Sequence, residues 1–238
     1  STGVTSTINV TAVNDKPVVT AGATLAYTEQ AAAAAIDATI TISDLDDTQI
    51  AGATVTITSP VAGDTLGFTA QNGITVASNV GGVLTLTGTT TLANYQTALR
   101  SVTFNSTSDD PTVDNTRLTR TITWAVTDAN SDAVGAQTST GVTSTINVTA
   151  VNDKPVLATG SVLTYTENQA ASAINAVITT ADVDNATLAS GTVSITANFA
   201  ASEDTLGFVN VPATMGNIAG VYDAGTGTLV RSLAGNGA

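Results

Sequence analysis

Oxygen-bearing side chains that come in pairs, and come back, are the feature of this sequence with the most chemical potential. Asp44 and Asp46 flank Leu45, and 138 residues later Asp182 and Asp184 flank Val183. Asn14-Asp15 stands ahead of Lys16-Pro17, and Asn152-Asp153 stands ahead of Lys154-Pro155. Of the three Glu residues, Glu29 and Glu167 occupy equivalent positions, whereas Glu203 stands alone. A hard cation takes about six to eight oxygen ligands, several of them carboxylate. An Asp-x-Asp in extended backbone turns both carboxylates to one side, where they can grip one ion. Asp-x-Asp alone is ordinary in a solvated turn. With the Asn-Asp-x-Pro segment repeating beside it, the reading is a calcium site.

Other chemistries fall away. The 238 residues contain no Cys and no His. That excludes disulfides, thiolate or imidazole metal sites and His-dependent nucleophiles. Asp128-Ala129-Asn130-Ser131-Asp132 opens like an EF-hand loop, but Ala133 stands where Gly is needed and Ser139 where Glu is needed. Asp64-Thr65 and Asp204-Thr205 lack the glycine of an aspartic-protease dyad. Asp109, Asp110 and Asp114 around Pro111 read as a solvated turn, with a further ion site as the alternative. Nine aromatic residues among 238 make no sugar-stacking platform. The sequence therefore argues against an enzyme.

Nineteen acids against six bases give a net charge of −13, which disfavours nucleic acid and anionic membranes as partners. No apolar run approaches the ~20 residues of a membrane helix. The chain opens without a signal-peptide pattern and reads as a piece of a longer polypeptide.

These residues sit on a repeat. Residues 1–18 and 139–156 are identical, STGVTSTINVTAVNDKPV. Looser likeness follows at the same offset: Tyr27-Thr28-Glu29 with Tyr165-Thr166-Glu167, then Val55 and Ile57 with Val193 and Ile195. After a two-residue slip, Asp64-Thr65-Leu66-Gly67-Phe68 returns as Asp204-Thr205-Leu206-Gly207-Phe208. Repeats at fixed spacing define the organisation of a chain. Residues 1–13 read as the last strand of a preceding repeat, 14–151 as a complete repeat, and 152–238 as a second repeat incomplete at its C-terminus. The second copy stops before any counterpart of Tyr95 or Trp124, so a partner strand or further chain must complete its sheet.

The elements that must position the oxygens are strands. With 47 Thr residues and abundant Val, the composition suits half-buried pleated surfaces. Apolar and Thr residues alternate at Ile8–Ala12, Thr54–Thr58, Leu84–Thr87 and Leu118–Val126. Asn72-Gly73, Gly81-Gly82 and Asp110-Pro111 mark turns. Leu92, Tyr95 and Leu99 have helical spacing, with Thr90 or Thr91 as N-cap, which predicts a short helix over 91–100. About seven strands at this spacing predict an all-β sandwich with Trp124 packed between its sheets.

The segment Ile8–Pro17 resembles the linker of cadherin-like repeats. Tyr27-Thr28-Glu29 is similar to that family's early Glu, Ser43–Asp47 to its Asp-x-Asp motif, and Val126-Thr127-Asp128 to its late Asp. Tyr95–Phe104 resembles the bacterial versions found in large secreted adhesins of the RTX type. The resemblance implies tandem Ig-like sandwiches with calcium at the junctions. One junction would use Asn14, Asp15, Asp44, Asp46 and Asp128. The other would use Glu29, Asn152, Asp153, Asp182 and Asp184. Lys16 and Lys154 stand where the family often has a further oxygen ligand, which implies fewer ions. The implied role is an extracellular, calcium-rigidified stalk for cell adhesion on a bacterial surface, with neighbouring repeats of the same chain as partners. The alternative is a homotypic assembly: a surface layer, sheath or fibre.

Overall fold

Alternation of apolar and Thr residues places one side of each strand in a core and leaves the other in water, and the strands follow it. The computed structural model describes residues 2–131, 133–158 and 160–233. It is mostly β, with 39% strand and 5% helix. The chain divides into two compact units, Ser1–Asn152 and Asp153–Ala238.

In the first unit, β1 (Val18–Thr20) pairs with β4 (Thr41–Ser43). A six-stranded sheet contains β2 (Thr24–Thr28), β5 (Gln49–Thr58), β7 (Thr75–Val80), β8 (Val83–Thr91), β10 (Thr119–Asp128) and β11 (Val142–Thr149), in the order β2-β11-β10-β5-β8-β7. All neighbours in it are antiparallel except β2 and β11, which run parallel. A three-stranded sheet is ordered β3-β9-β6, from β3 (Ala34–Ala35), β6 (Asp64–Gly67) and β9 (Thr103–Ser106).

Both glycines of the β7–β8 turn, Gly81 and Gly82, have positive φ (62° and 80°). That is the two-residue hairpin geometry matching strand twist. Helix α1 (Leu92–Arg100) leads from β8 towards β9, and the Thr91 hydroxyl caps it by accepting the Asn94 N–H at 3.3 Å.

One apolar core draws on both sheets, on the β1–β4 pair and on α1. Trp124 of β10, Tyr95 and Leu99 of α1, and Phe104 of β9 are fully buried. Tyr27 of β2 meets Phe104 edge to face, with ring centroids 5.0 Å apart at 86°, an arrangement favoured by the ring quadrupoles. Hydrogen bonds satisfy several of the buried polar groups, although the Tyr95 hydroxyl has no partner. The Trp124 indole N–H donates to the Ser144 hydroxyl (2.9 Å), which donates to Asp37 (2.6 Å). Arg120 and Asp64, both wholly buried, form an ion pair at 2.6 Å, and Arg120 also donates to the carbonyls of Pro111 and Arg117. That clamps the 110–117 loop, where Val113, Asp114 and Asn115 all have positive φ.

The second unit is sparser. Here β12 (Val156–Ala158) pairs with β13 (Thr179–Ala181) in the register of β1 with β4, 138 residues on. Strands β14 (Ser190–Ser194), β15 (Ile218–Asp223) and β16 (Thr228–Leu233) form a sheet ordered β14-β16-β15. That order parallels β5-β8-β7. A single-turn helix, α2 (Pro212–Met215), precedes β15. Among its described residues, Leu229 is the buried apolar side chain, while Tyr165, Ile174, Val193 and Val230 are exposed.

Residues 2–17 carry no strand and are almost all exposed, although the pattern at Ile8–Ala12 predicts one. The identical sequence at 142–149 is β11. The difference is the neighbours: β11 has β10 on one side and β2 on the other. An isolated extended segment satisfies its backbone with water instead.

Candidate metal centre

Asp44, Asp46 and Asp47 follow β4, and their turn is built by the first of them. The Asp44 Oδ1 accepts the N–H groups of Asp46 (3.2 Å) and Asp47 (3.0 Å). An aspartate that folds the backbone onto its own side chain is a common turn former. The consequence is that one carboxylate oxygen from each of the three lies within 4.8 Å of the others. Two ligands on opposite sides of a calcium ion at 2.3–2.6 Å stand about 4.6–5.2 Å apart, so this spacing fits one ion.

Three oxygens here have no hydrogen-bond partner although each is shielded from water: Asp44 Oδ2, Asp47 Oδ2 and Asn14 Oδ1. Asp47 is only 3% exposed. Its other oxygen accepts from Ser131, through both the backbone N–H and the hydroxyl. Buried carboxylate oxygens normally carry a donor, so this donor set fits a cation. Burial pushes the Asp44 carboxyl above its ordinary range, and the Asp46 charge adds to that. Asp46 moves the other way, held down chiefly by the Asp15 N–H. A cation would relieve the strain on Asp44.

The segment before β1 is tied to this turn. The Asp15 N–H donates to Asp46 Oδ2 at 2.9 Å. The Asn14 amide donates to Asp128 Oδ2 (3.1 Å) and to the Gly135 carbonyl (2.7 Å). Asn14, Asp15, Asp44, Asp46 and Asp128 therefore lie in one neighbourhood. Asp128 meets it through Asn14. It is fully buried, and its carboxylate also accepts the Asn130 and Gln137 N–H groups, closing the loop after β10. Asp47 and Ser131 complete the neighbourhood. Asp47 was adjacent in sequence to the paired aspartates, but nothing there distinguished it from a solvated turn residue.

The remaining sequence-predicted ligands divide between the units. Glu29 follows β2, is 5% exposed, and accepts the Val151 N–H at 2.7 Å. Its carboxylate comes within 4.8 Å of Asp109, a residue of the turn for which the sequence left a further ion site as the alternative. Asn152 is exposed at the end of the first unit. In the second unit the local arrangement of the first recurs. Asp153 N–H donates to Asp184 Oδ2, and Asp182 Oδ1 accepts the N–H groups of Asp184 (3.1 Å) and Asn185 (3.0 Å). Asp184 Oδ1 is shielded and has no hydrogen-bond partner. Asn185 stands where the first unit has Asp47, so this copy carries one charge fewer.

Among the described residues, no helix is long and apolar enough to cross a membrane. No family model matches the chain, and no curated protein matches it.

Proposed function

We propose that this chain is a structural extender: tandem Ig-like β-sandwich repeats of a secreted or surface-bound bacterial adhesin, stiffened by calcium and without catalytic activity. One observation carries the reading. Asn14 Oδ1, Asp44 Oδ2 and Asp47 Oδ2 are shielded oxygens without donors, gathered where the segment leading into β1 meets the turn after β4. An ion coordinated there fixes that segment to the body of its repeat. The second unit's copy, Asp153 with Asp182 and Asp184, supports the same role one repeat later. The recurring strand pairings, β12–β13 after β1–β4, support a tandem architecture. The Tyr27–Phe104 contact between the two sheets of the first unit supports a sandwich.

Calcium binding only the folded form stabilises it by mass action. It also slows opening of the segments it holds, which is what a stalk requires. The test is amide hydrogen exchange at Asp15 and Asp153 in calcium and in chelator. Calcium is expected to slow exchange at both amides, and Asp182→Ala with Asp184→Ala to abolish the effect at Asp153 while sparing Asp15. Equal exchange rates with and without calcium would overturn the reading.

A further inference from the structure

Thr residues that point away from the core of the first unit fall into rows across its six-stranded sheet. Thr24, Thr145, Thr121 and Thr58 stand opposite one another on β2, β11, β10 and β5. The next row holds Thr143, Thr123 and Thr56. A third runs from Thr54 on β5 to Thr85 on β8 and Ser78 on β7. Their neighbours along the strands, among them Val55, Ile57, Leu84, Ile122 and Ile146, are buried. The rows therefore share the outer face, where each of these residues is exposed or half-buried.

Charge, hydrogen bonding and shape say what fits this face. No Asp, Glu, Lys or Arg stands in the rows, in a chain whose net charge is −13. Charge of one sign holds copies of a protein apart, and this face is where two copies can meet without opposing charges. Its hydroxyls are uncommitted: among the described residues, none of these Thr side chains has a hydrogen-bond partner within the chain. A hydroxyl both donates and accepts, and each Thr adds a methyl group, so one row of Thr complements another. A twisted sheet touches a plane over only part of its width. Two sheets twisted in the same hand pack face to face, at about 30°.

We infer that the outer face of the six-stranded sheet docks on the same face of a second copy of the chain. The contact is isologous, so a single pairing closes it and yields a dimer. Six strands about 4.8 Å apart, with three rows about 6.8 Å apart, cover roughly 24 by 20 Å. Two such faces bury about 1,000 Å² in all, the low end for a specific contact, so the pairing is weak. Like charges elsewhere on the two copies oppose it, and salt strengthens it by screening them. Where the chain serves as an extender, the contact pairs two of them. The docking itself requires no cation and is independent of the calcium reading.

Sedimentation equilibrium of the full chain tests this, in chelator and in calcium, at low and at high salt. The expected result is a monomer–dimer equilibrium that strengthens with salt and is the same in chelator and in calcium. Thr121→Lys with Thr54→Lys changes two exposed positions of the face, on β10 and β5. It lowers the net negative charge, yet it should weaken dimerisation at least about tenfold, because it sets like charges across the contact. Thr65→Lys with Thr69→Lys makes the same change of charge at exposed positions in and after β6, outside the face. That variant should dimerise as the parent does or slightly more. Melts followed by Trp124 fluorescence show whether each variant keeps the fold. A monomer up to millimolar chain at high salt would overturn the inference, including one that sediments with an insoluble crystalline polysaccharide. So would a dimer that Thr121→Lys with Thr54→Lys leaves intact, that the β6 variant weakens equally, or that forms only in calcium.

Discussion

Replacing Asp47 by Asn separates an ion site from an acidic turn, because the two readings differ in sign. Asp47 is buried, with one oxygen bonded to Ser131 and the other, Oδ2, without a hydrogen-bond partner and close to Asp44 and Asp46. In chelator the substitution removes a charge from a cluster of like charges. It also offers an N–H to its neighbours, so stability should rise slightly. In calcium the same substitution deletes a charged ligand. Extracellular calcium modules bind with Kd values of roughly 10⁻⁴ to 10⁻³ M. At about 10 mM calcium, occupancy stabilises the fold by about 1.4–2.7 kcal/mol. The first unit comprises Ser1–Asn152. With about 2.1 cal/mol/K of unfolding entropy per residue, the gain corresponds to a rise in Tm of roughly 4–9 °C. Trp124 is the sole tryptophan and is buried in that unit's core, so its fluorescence reports this transition and not that of the second unit. The expected outcome is a crossover: Asp47→Asn equals or exceeds the parent in chelator and loses most of the calcium-dependent rise. An identical shift of Tm in both conditions, or no calcium effect on the parent, would refute the reasoning.

Further expectations concern the framework. Arg120→Met strands the buried Asp64 carboxylate and should cost about 3–5 kcal/mol in denaturant unfolding, with much of that restored by adding Asp64→Leu. Phe104→Ala removes the ring that meets Tyr27 and should destabilise by about 3–5 kcal/mol, again read from Trp124 fluorescence. Burial by itself would raise the Asp37 carboxyl. Donors from Ser144, Thr39, Gly22 and Ala23 outweigh it and hold the group well below the usual carboxylate range. Its contribution is therefore complete above the unfolded value of about 3.9 and fades as pH falls below that. Asp37→Asn should flatten the acid limb of a stability-against-pH curve; an unchanged limb would remove Asp37 from the account.

Much of the local structure was legible because it depends on neighbours in sequence. Thr91, Leu92, Tyr95 and Leu99 carry the cap and the buried stripe of α1, and the structure has the helix at Leu92–Arg100. Gly81-Gly82 carries the φ values of its hairpin. Asp44 and Asp182 fold their own turns, since an aspartate two or three residues ahead of an N–H needs no distant partner. The resemblance to cadherin-like repeats implied a grouping of Asn14, Asp15, Asp44, Asp46 and Asp128, among which hydrogen bonds join Asp15 to Asp46 and Asn14 to Asp128. Nothing in the sequence signalled that Asp47 would be buried or that Ser131, 84 residues away, would hold it. Nor did it reveal the Asp37–Ser144–Trp124 chain or the Arg120–Asp64 pair. Those contacts join residues on different strands, and spacing along the chain carries no information about them.

The repeated eighteen residues mark the limit. Composition and alternation determine that STGVTSTINVTAVNDKPV can be a strand followed by an extended, proline-terminated segment. They do so for both copies alike. At 142–149 the segment is a strand between β10 and β2, with Ile146 and Val148 buried; at 4–11 the same letters lie exposed without a ladder. A strand's hydrogen bonds and its apolar face are both completed by other strands. Its sequence states only what it can pair with, and the tertiary structure decides whether that partner is present.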